Sequence, residues 1–143
     1  MSKARPKNSA SLQWTAQQTQ AISHDGSSVL ISAAAGAGKT EVLAQHCAHL
    51  LAEIKPPCAI NELLVVTFTD AAAAQMRQRI GRIVRELSES QPDNNHLAQQ
   101  DARVSTAAIS TIHSFYQTIL RQNFPQAQLD PQFKIADPDQ HPK

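Results

Sequence analysis

The segment Ala33-Ala34-Ala35-Gly36-Ala37-Gly38-Lys39-Thr40 constrains this chain more than any other. It follows a short apolar run rich in β-branched residues, Val29-Leu30-Ile31-Ser32, which reads as a buried strand. It opens into a stretch, about Lys39 to Ile54, whose residues Leu43, Cys47, Leu50, Leu51 and Ile54 recur at helical spacing. Strand, small-residue loop, Gly-Lys-Thr and helix make the phosphate-binding loop pattern, with Ala33 standing where the first glycine is usually found. Gly36 and Gly38 let the backbone turn so that successive N–H groups converge on phosphate oxygens. The helix starting near Lys39 adds the positive end of its dipole. Lys39 offers a point charge to the β- and γ-phosphates, and the Thr40 hydroxyl is placed to ligate Mg²⁺. The pattern thus predicts an ATP and Mg²⁺ site over Ala33, Ala34, Ala35, Gly36, Ala37, Gly38, Lys39 and Thr40. The competing reading is a small-residue turn that only packs closely.

Further elements follow from periodicity. Trp14 to Ile22 reads as a short helix, with Thr15 as N-cap and Gln18 completing a capping box. Pro56-Pro57 ends the helix after the loop. Leu63 to Phe68 is nearly continuous and apolar, as expected of a strand covered on both faces. Asp70 is expected to cap a long helix striped by Met76, Ile80, Ile83, Val84 and Leu87, with Arg82–Glu86 and Arg85–Glu89 at i,i+4 spacing. Glu89 to Gln100 is polar, holds Pro92, and reads as a loop. Ala108 to Ile112 is a third strand, and His113 to Asn123 a helix with Phe115 and Ile119 on one face. Alternating strands and helices predict an α/β fold with a mostly parallel sheet and flanking helices.

A chain of 143 residues is one ordinary domain, and a net charge of +1 excludes gripping nucleic acid by bulk charge. No run approaches the roughly 18 apolar residues of a membrane span. Cys47 and Cys58 form neither a disulfide framework nor a zinc pattern, and His46 and His49 beside Cys47 lack further ligands nearby in sequence. The basic N-terminus carries no apolar core behind Lys3, Arg5 and Lys7, so a cytoplasmic protein is expected.

Several segments together resemble the UvrD/Rep-type superfamily 1 DNA helicases. Trp14-Thr15-Ala16-Gln17-Gln18-Thr19-Gln20-Ala21-Ile22 resembles their Q motif. Leu64 to Arg77, LVVTFTDAAAAQMR, looks like motif Ia, and Ile109 to Phe115, ISTIHSF, like motif Ib. With the late segment Asp130 to Asp137, DPQFKIAD, the likeness is strongest to the AddA type, the helicase–nuclease subunits of AddAB complexes. The resemblance implies that residues 14–137 are the N-terminal part of a UvrD-like helicase ATP-binding domain, the incomplete first lobe of a P-loop NTPase (RecA-like) fold, followed by a tail over 138–143 at a truncation point; the polar, basic residues 1–13 read as disordered. It implies ATP-dependent 3′-to-5′ translocation on single-stranded DNA, in recombination and repair, and an AddB-like partner for the full-length protein. By position, Gln18 would recognise the adenine edge, Thr67, Phe68 and Thr69 would lie along single-stranded DNA, and Thr111, His113 and Ser114 would contact its backbone. Asp70, an anion, is assigned no DNA contact.

Taken singly, each residue has a plainer role: Gln18 a capping residue, Phe68 a core residue, His113 a structural histidine, and Arg82 and Arg85 a solvated face. Hydrolysis also needs an Asp that helps hold Mg²⁺ and a Glu that activates water, normally adjacent, and no two acidic residues are adjacent in this sequence. The chain alone is therefore expected to bind nucleotide and single-stranded DNA without efficient hydrolysis or unwinding. The rival readings are a non-hydrolysing binding remnant and a small P-loop phosphotransferase.

Overall fold

A computed structural model describes residues 13–130 and 133. Residues 1–12, the late motif from Pro131 onward apart from Phe133, and the 138–143 tail lie outside the described residues. Within them the order is α1 (Ala16–Ile22), α2 (Lys39–Ala52), β1 (Leu64–Thr67), α3 (Asp70–Ser90), α4 (Asn95–Arg103), β2 (Ala108–Thr111) and α5 (Ile112–Gln122). Short 3-10 turns at Ile60–Glu62 and Val104–Thr106 lead into the two strands.

Local chemistry explains the helix starts. The Thr15 Oγ1 accepts the Gln18 N–H at 3.2 Å, and the Gln18 Oε1 accepts the Thr15 N–H at 2.9 Å. This is the capping box that the Thr-x-x-Gln spacing predicts. For α3 the cap differs from expectation. Thr69, not Asp70, is the N-cap, its Oγ1 accepting the Ala72 N–H at 3.1 Å. Asp70 is the first helical residue, where its carboxylate complements the helix dipole.

β1 and β2 run parallel, with Leu64 opposite Ala108 and Thr67 opposite Thr111. Val65 and Ile109 are buried, whereas Leu64 and Val66 are exposed. The near-continuous apolar run therefore alternates in burial, and only one face of β1 is covered. The expected strand over Val29–Ser32 is not formed; the segment carries no regular structure and Leu30 is 94% exposed. An isolated strand leaves its N–H and C=O groups unpaired. β1 and β2 pair with each other, and among the described residues no third strand lies beside Val29–Ser32. The sheet of the α/β fold is thus a two-stranded parallel one flanked by helices.

The core joins α2, α3 and the covered sheet face. Ala44, Cys47, Ala48 and Leu51 of α2 meet Met76, Ile80, Ile83 and Val84 of α3, with Ile60, Val65 and Ile109 in the same cluster. The α3 stripe is as its spacing predicts, with Leu87 packed at the margin. On α2 the buried set includes Val42, Ala44 and Ala48, and Leu43 is exposed. Burial pushes the Cys47 thiol from 9.0 up to about 11.

The polar stretch after α3 is largely α4 rather than a loop. The Asn94 side chain accepts the Leu97 N–H at 3.3 Å and caps the helix. Leu97 and Gln100 are buried. Gln100 Oε1 accepts the Ile60 N–H at 2.8 Å, and its Nε2 lies 3.4 Å from His96 Nδ1. His96 Nε2 in turn meets the Leu51 carbonyl at 3.1 Å. A carbonyl only accepts, so that nitrogen carries the proton and Nδ1 accepts from Gln100. This chain of bonds ties α4 to the end of α2 and to the turn that aims β1.

Candidate functional site

The Ala33–Thr40 loop is shaped by two glycines. Gly36 and Gly38 both have φ of +78°, in the left-handed region where a side chain is strained. Gly38 is also the N-cap of α2 and supplies no side-chain cap. The first-turn N–H groups of a 14-residue helix therefore open toward the loop, a setting that favours an anion. Lys39 curls back into the loop, its Nζ donating to the carbonyls of Ala33 and Ala34, each at 2.8 Å. The ammonium thus sits on the concave side, held by neutral carbonyls rather than by a carboxylate. Ala35 lies at the exposed tip, and the Ala37 N–H reaches the Ala34 carbonyl at 3.3 Å.

Thr40 is exposed at the second position of α2. Its neighbour Glu41 is turned away into an ion pair with Arg79 at 2.7 Å, with Arg82 at 3.7 Å. A single hydroxyl beside the lysine suits Mg²⁺ whose other ligands are phosphate oxygens and water. Among the described residues no group of three or more His, Cys, Asp or Glu could hold a metal by itself. His46 is instead engaged with the Ile22 carbonyl at 2.9 Å and His49 with Glu53 at 2.9 Å.

Gln18 lies against this loop. Its Nε2 donates to the Ala37 carbonyl at 3.2 Å. Beside it a cleft of about 770 Å³ is bounded by Thr15, Gln18, His24, Ile31, Lys39 and Val42 among others. Such a volume lies within the range of small-molecule sites. His24, which bonds the Ser27 carbonyl at 2.9 Å, had no sequence signal for this position.

The second group of candidate residues gathers at the C-terminal ends of the strands. Thr67 and Thr111 are register partners, so the turns after β1 and β2 stand side by side. Thr67 Oγ1 donates to the Thr69 carbonyl at 2.9 Å. Thr111, buried, caps α5 by accepting the Ser114 N–H at 3.3 Å and donates to Ser114 Oγ at 2.9 Å. His113 is exposed and Ser114 half-buried. Phe68 is 104% exposed, which removes its plain reading as a core residue. Arg77, off the apolar stripe of α3, donates to the Ile109 carbonyl of β2 and ties the helix that begins after the first turn to the strand that ends in the second. Arg82 pairs with Glu86 at 3.0 Å as its spacing predicts, whereas Arg85 faces Asp101 at 3.6 Å instead of Glu89. That swap follows from α4, which places Asp101 beside α3.

A glycine loop that opens a helix beside a cleft, with two strand-end turns side by side, is a geometry suited to holding anions. Residues 14–142 match the model of the UvrD/REP helicase N-terminal domain, and the chain belongs to that family. Among curated relatives it is similar to AddA, the ATP-dependent helicase/nuclease protein of Pelotomaculum thermopropionicum, at 48% identity over 87% of the chain and 10% of that protein. The same-named protein of Clostridium novyi is 44% identical over 88% of the chain and 10% of its own length. That of Listeria welshimeri is 40% identical over 93% and 11%. The chain thus spans about a tenth of the length of the curated relatives it matches. No described helix is long and apolar enough to cross a membrane.

Proposed function

We propose that this chain is the nucleotide-binding N-terminal portion of an ATP-dependent DNA helicase of the AddA type. The reading rests on one observation: Lys39 Nζ lies on the concave side of a loop whose two glycines hold positive φ and whose end opens helix α2. An incoming triphosphate exchanges for the Ala33 and Ala34 carbonyls as the partner of Lys39. Residues Ala33 to Gly38 present backbone N–H groups to the phosphates, and the Thr40 hydroxyl would be the protein's ligand to Mg²⁺. The nucleoside lies in the cleft beside Gln18. The chemistry Mg²⁺ would supply there, when bound, is neutralisation of phosphate charge.

Single-stranded DNA runs over the strand ends. Thr67, Thr69, Thr111 and Ser114 offer hydroxyl and backbone groups to phosphates, His113 offers a ring N–H, and Phe68 offers a face for base stacking. None of this needs net positive charge, in keeping with the value of +1. The whole protein would translocate 3′ to 5′ in recombination and repair beside an AddB-like partner. The chain alone is expected to bind without efficient turnover, because no adjacent acidic pair is present to activate water.

Equilibrium titration with a fluorescent ATP analogue and a fluorescent oligo-dT tests this. Lys39→Ala is expected to remove the nucleotide signal and leave oligonucleotide binding in place. Phosphoryl transfer from ATP to a small acceptor would instead support a phosphotransferase.

A further inference from the structure

Helix α3 carries four arginines, and three of them face carboxylates. Arg79 and Arg82 meet Glu41, Arg82 also meets Glu86, and Arg85 meets Asp101. Arg77 makes no ion pair among the described residues. Its Nη2 donates to the Ile109 carbonyl, and its Nε is buried with no hydrogen-bond partner among those residues. An arginine side chain stays charged, and a carbonyl offers it a dipole rather than a counter-charge. Holding such a cation partly out of water is unfavourable. An anion that comes within reach of the charge lowers that cost.

The position of the charge decides which anion that is. Side chains on a helix lean back toward its N-terminus, so Arg77 reaches toward the start of α3, beside the Thr67–Thr69 turn. Ala73, one turn back, is small and buried, which leaves the guanidinium room against β2. Ile109 precedes Thr111 by two residues, so the guanidinium lies about 7 Å below the end of β2. Thr67 and Thr111 are register partners, and the two turns stand side by side above this charge. Helices α3 and α5 both start there, so their N-terminal dipole ends add to the same surface. Asp70, the acidic residue of α3 nearest to Arg77 in sequence, is exposed and about 10 Å away along the helix axis.

We propose that Arg77 supplies the positive charge that draws the DNA backbone onto the two strand-end turns, without touching it. This rests on the single-stranded DNA reading above and adds to it a residue set behind the surface. Hydroxyls and backbone N–H groups position the phosphates, and Arg77 sets how strongly the surface attracts them. The distance is comparable to a Debye length, about 8 Å at physiological salt, so the attraction is strong at low salt and screened at high salt. A purely structural tie between α3 and β2 is indifferent to salt.

The test is fluorescence anisotropy of labelled oligo-dT with the chain, between about 50 and about 200 mM NaCl, for wild type, Arg77→Gln, Arg77→Lys and Arg85→Gln. Urea denaturation of each variant checks the fold. Arg77→Gln is expected to bind about five- to thirtyfold more weakly at the low salt, and the factor to shrink by about threefold or more at the high salt. Arg77→Lys keeps the charge and is expected to bind within about twofold of wild type. Arg85→Gln removes the same formal charge about 12 Å further along α3 and is expected to match wild type. Equal losses in Arg77→Gln and Arg77→Lys that salt does not change overturn the proposal in favour of a structural tie. Equal losses in Arg77→Gln and Arg85→Gln overturn it in favour of net charge. If Arg77→Gln does not fold, Arg77→Lys decides: wild-type affinity and salt slope support the proposal, and a salt-independent loss overturns it. Wild-type affinity in Arg77→Gln overturns it while the DNA reading stands. No oligo-dT binding by wild type overturns both.

Discussion

Arg79 Nη1 on α3 stands 2.7 Å from Glu41 Oε2 on α2, and Arg82 Nη2 reaches the other oxygen of that carboxylate at 3.7 Å. The contact joins the helix that leaves the glycine loop to the helix that begins beyond Thr67–Thr69. It also neutralises an acidic side chain one residue from Thr40, where an uncompensated charge would oppose a phosphate. The Glu41 side chain is 15% exposed and the Arg79 side chain 37%, so solvent screens part of the attraction. Arg79→Ala is expected to cost about 0.5–1 kcal/mol. In a urea-denaturation double-mutant cycle, Glu41→Ala and Arg79→Ala should lose less together than the sum of the singles. Strict additivity would mean that the pair contributes nothing.

Gln100 carries a different kind of cost. It is 2% exposed and provides the acceptor for the buried Ile60 N–H. Gln100→Ala leaves that N–H without a partner, unties His96 and opens a void. The expected loss is about 2–4 kcal/mol, read as a lower denaturation midpoint at unchanged slope.

Cys47 makes stability fall at high pH. Its folded thiol is raised by burial from 9.0 to about 11, so the fold favours the protonated form. That preference is fully present below about pH 9 and is lost as pH rises through 11. A shift of this size corresponds to about 3 kcal/mol. Wild type is expected to lose stability between these limits more steeply than Cys47→Ala, measured by denaturant titrations across the alkaline range. Parallel curves would show that the thiol does not titrate there.

Phe68 separates binding from folding. Its ring touches solvent on all sides, so Phe68→Ala should leave stability within about 0.5 kcal/mol of wild type. Oligo-dT affinity should drop by about 5- to 100-fold if the ring stacks on a base. Unchanged affinity would remove Phe68 from the DNA surface.

Much of this architecture is legible residue by residue. The Thr15–Gln18 capping box and the α3 stripe follow from short-range rules that need no partner, and composition marks Leu64–Thr67 and Ala108–Thr111 as strand segments. Helix α4 is hidden because its only large apolar residue is Leu97; its Asn94 cap after Pro92-Asp93 was the available signal. The Thr69-Asp70 dipeptide offers two good caps in succession, and only the geometry of the Oγ1 bond chooses between them. Val29–Ser32 has strand composition, but a strand is a property of neighbours, and composition does not supply them. In the candidate site the loop spacing was readable, while the Gln18–Ala37 contact and the adjacency of Thr67 and Thr111 depend on tertiary placement.

The central claim is that Lys39 and the glycine loop bind a polyphosphate. Isothermal titration of the chain with Mg·ATP and with adenosine, for wild type and Lys39→Ala, tests it most directly. The account predicts saturable Mg·ATP binding by wild type, adenosine binding weaker by about 100-fold or more, and loss of the difference in Lys39→Ala. Equal affinity for ATP and adenosine, or Mg·ATP binding unaffected by Lys39→Ala, would contradict it.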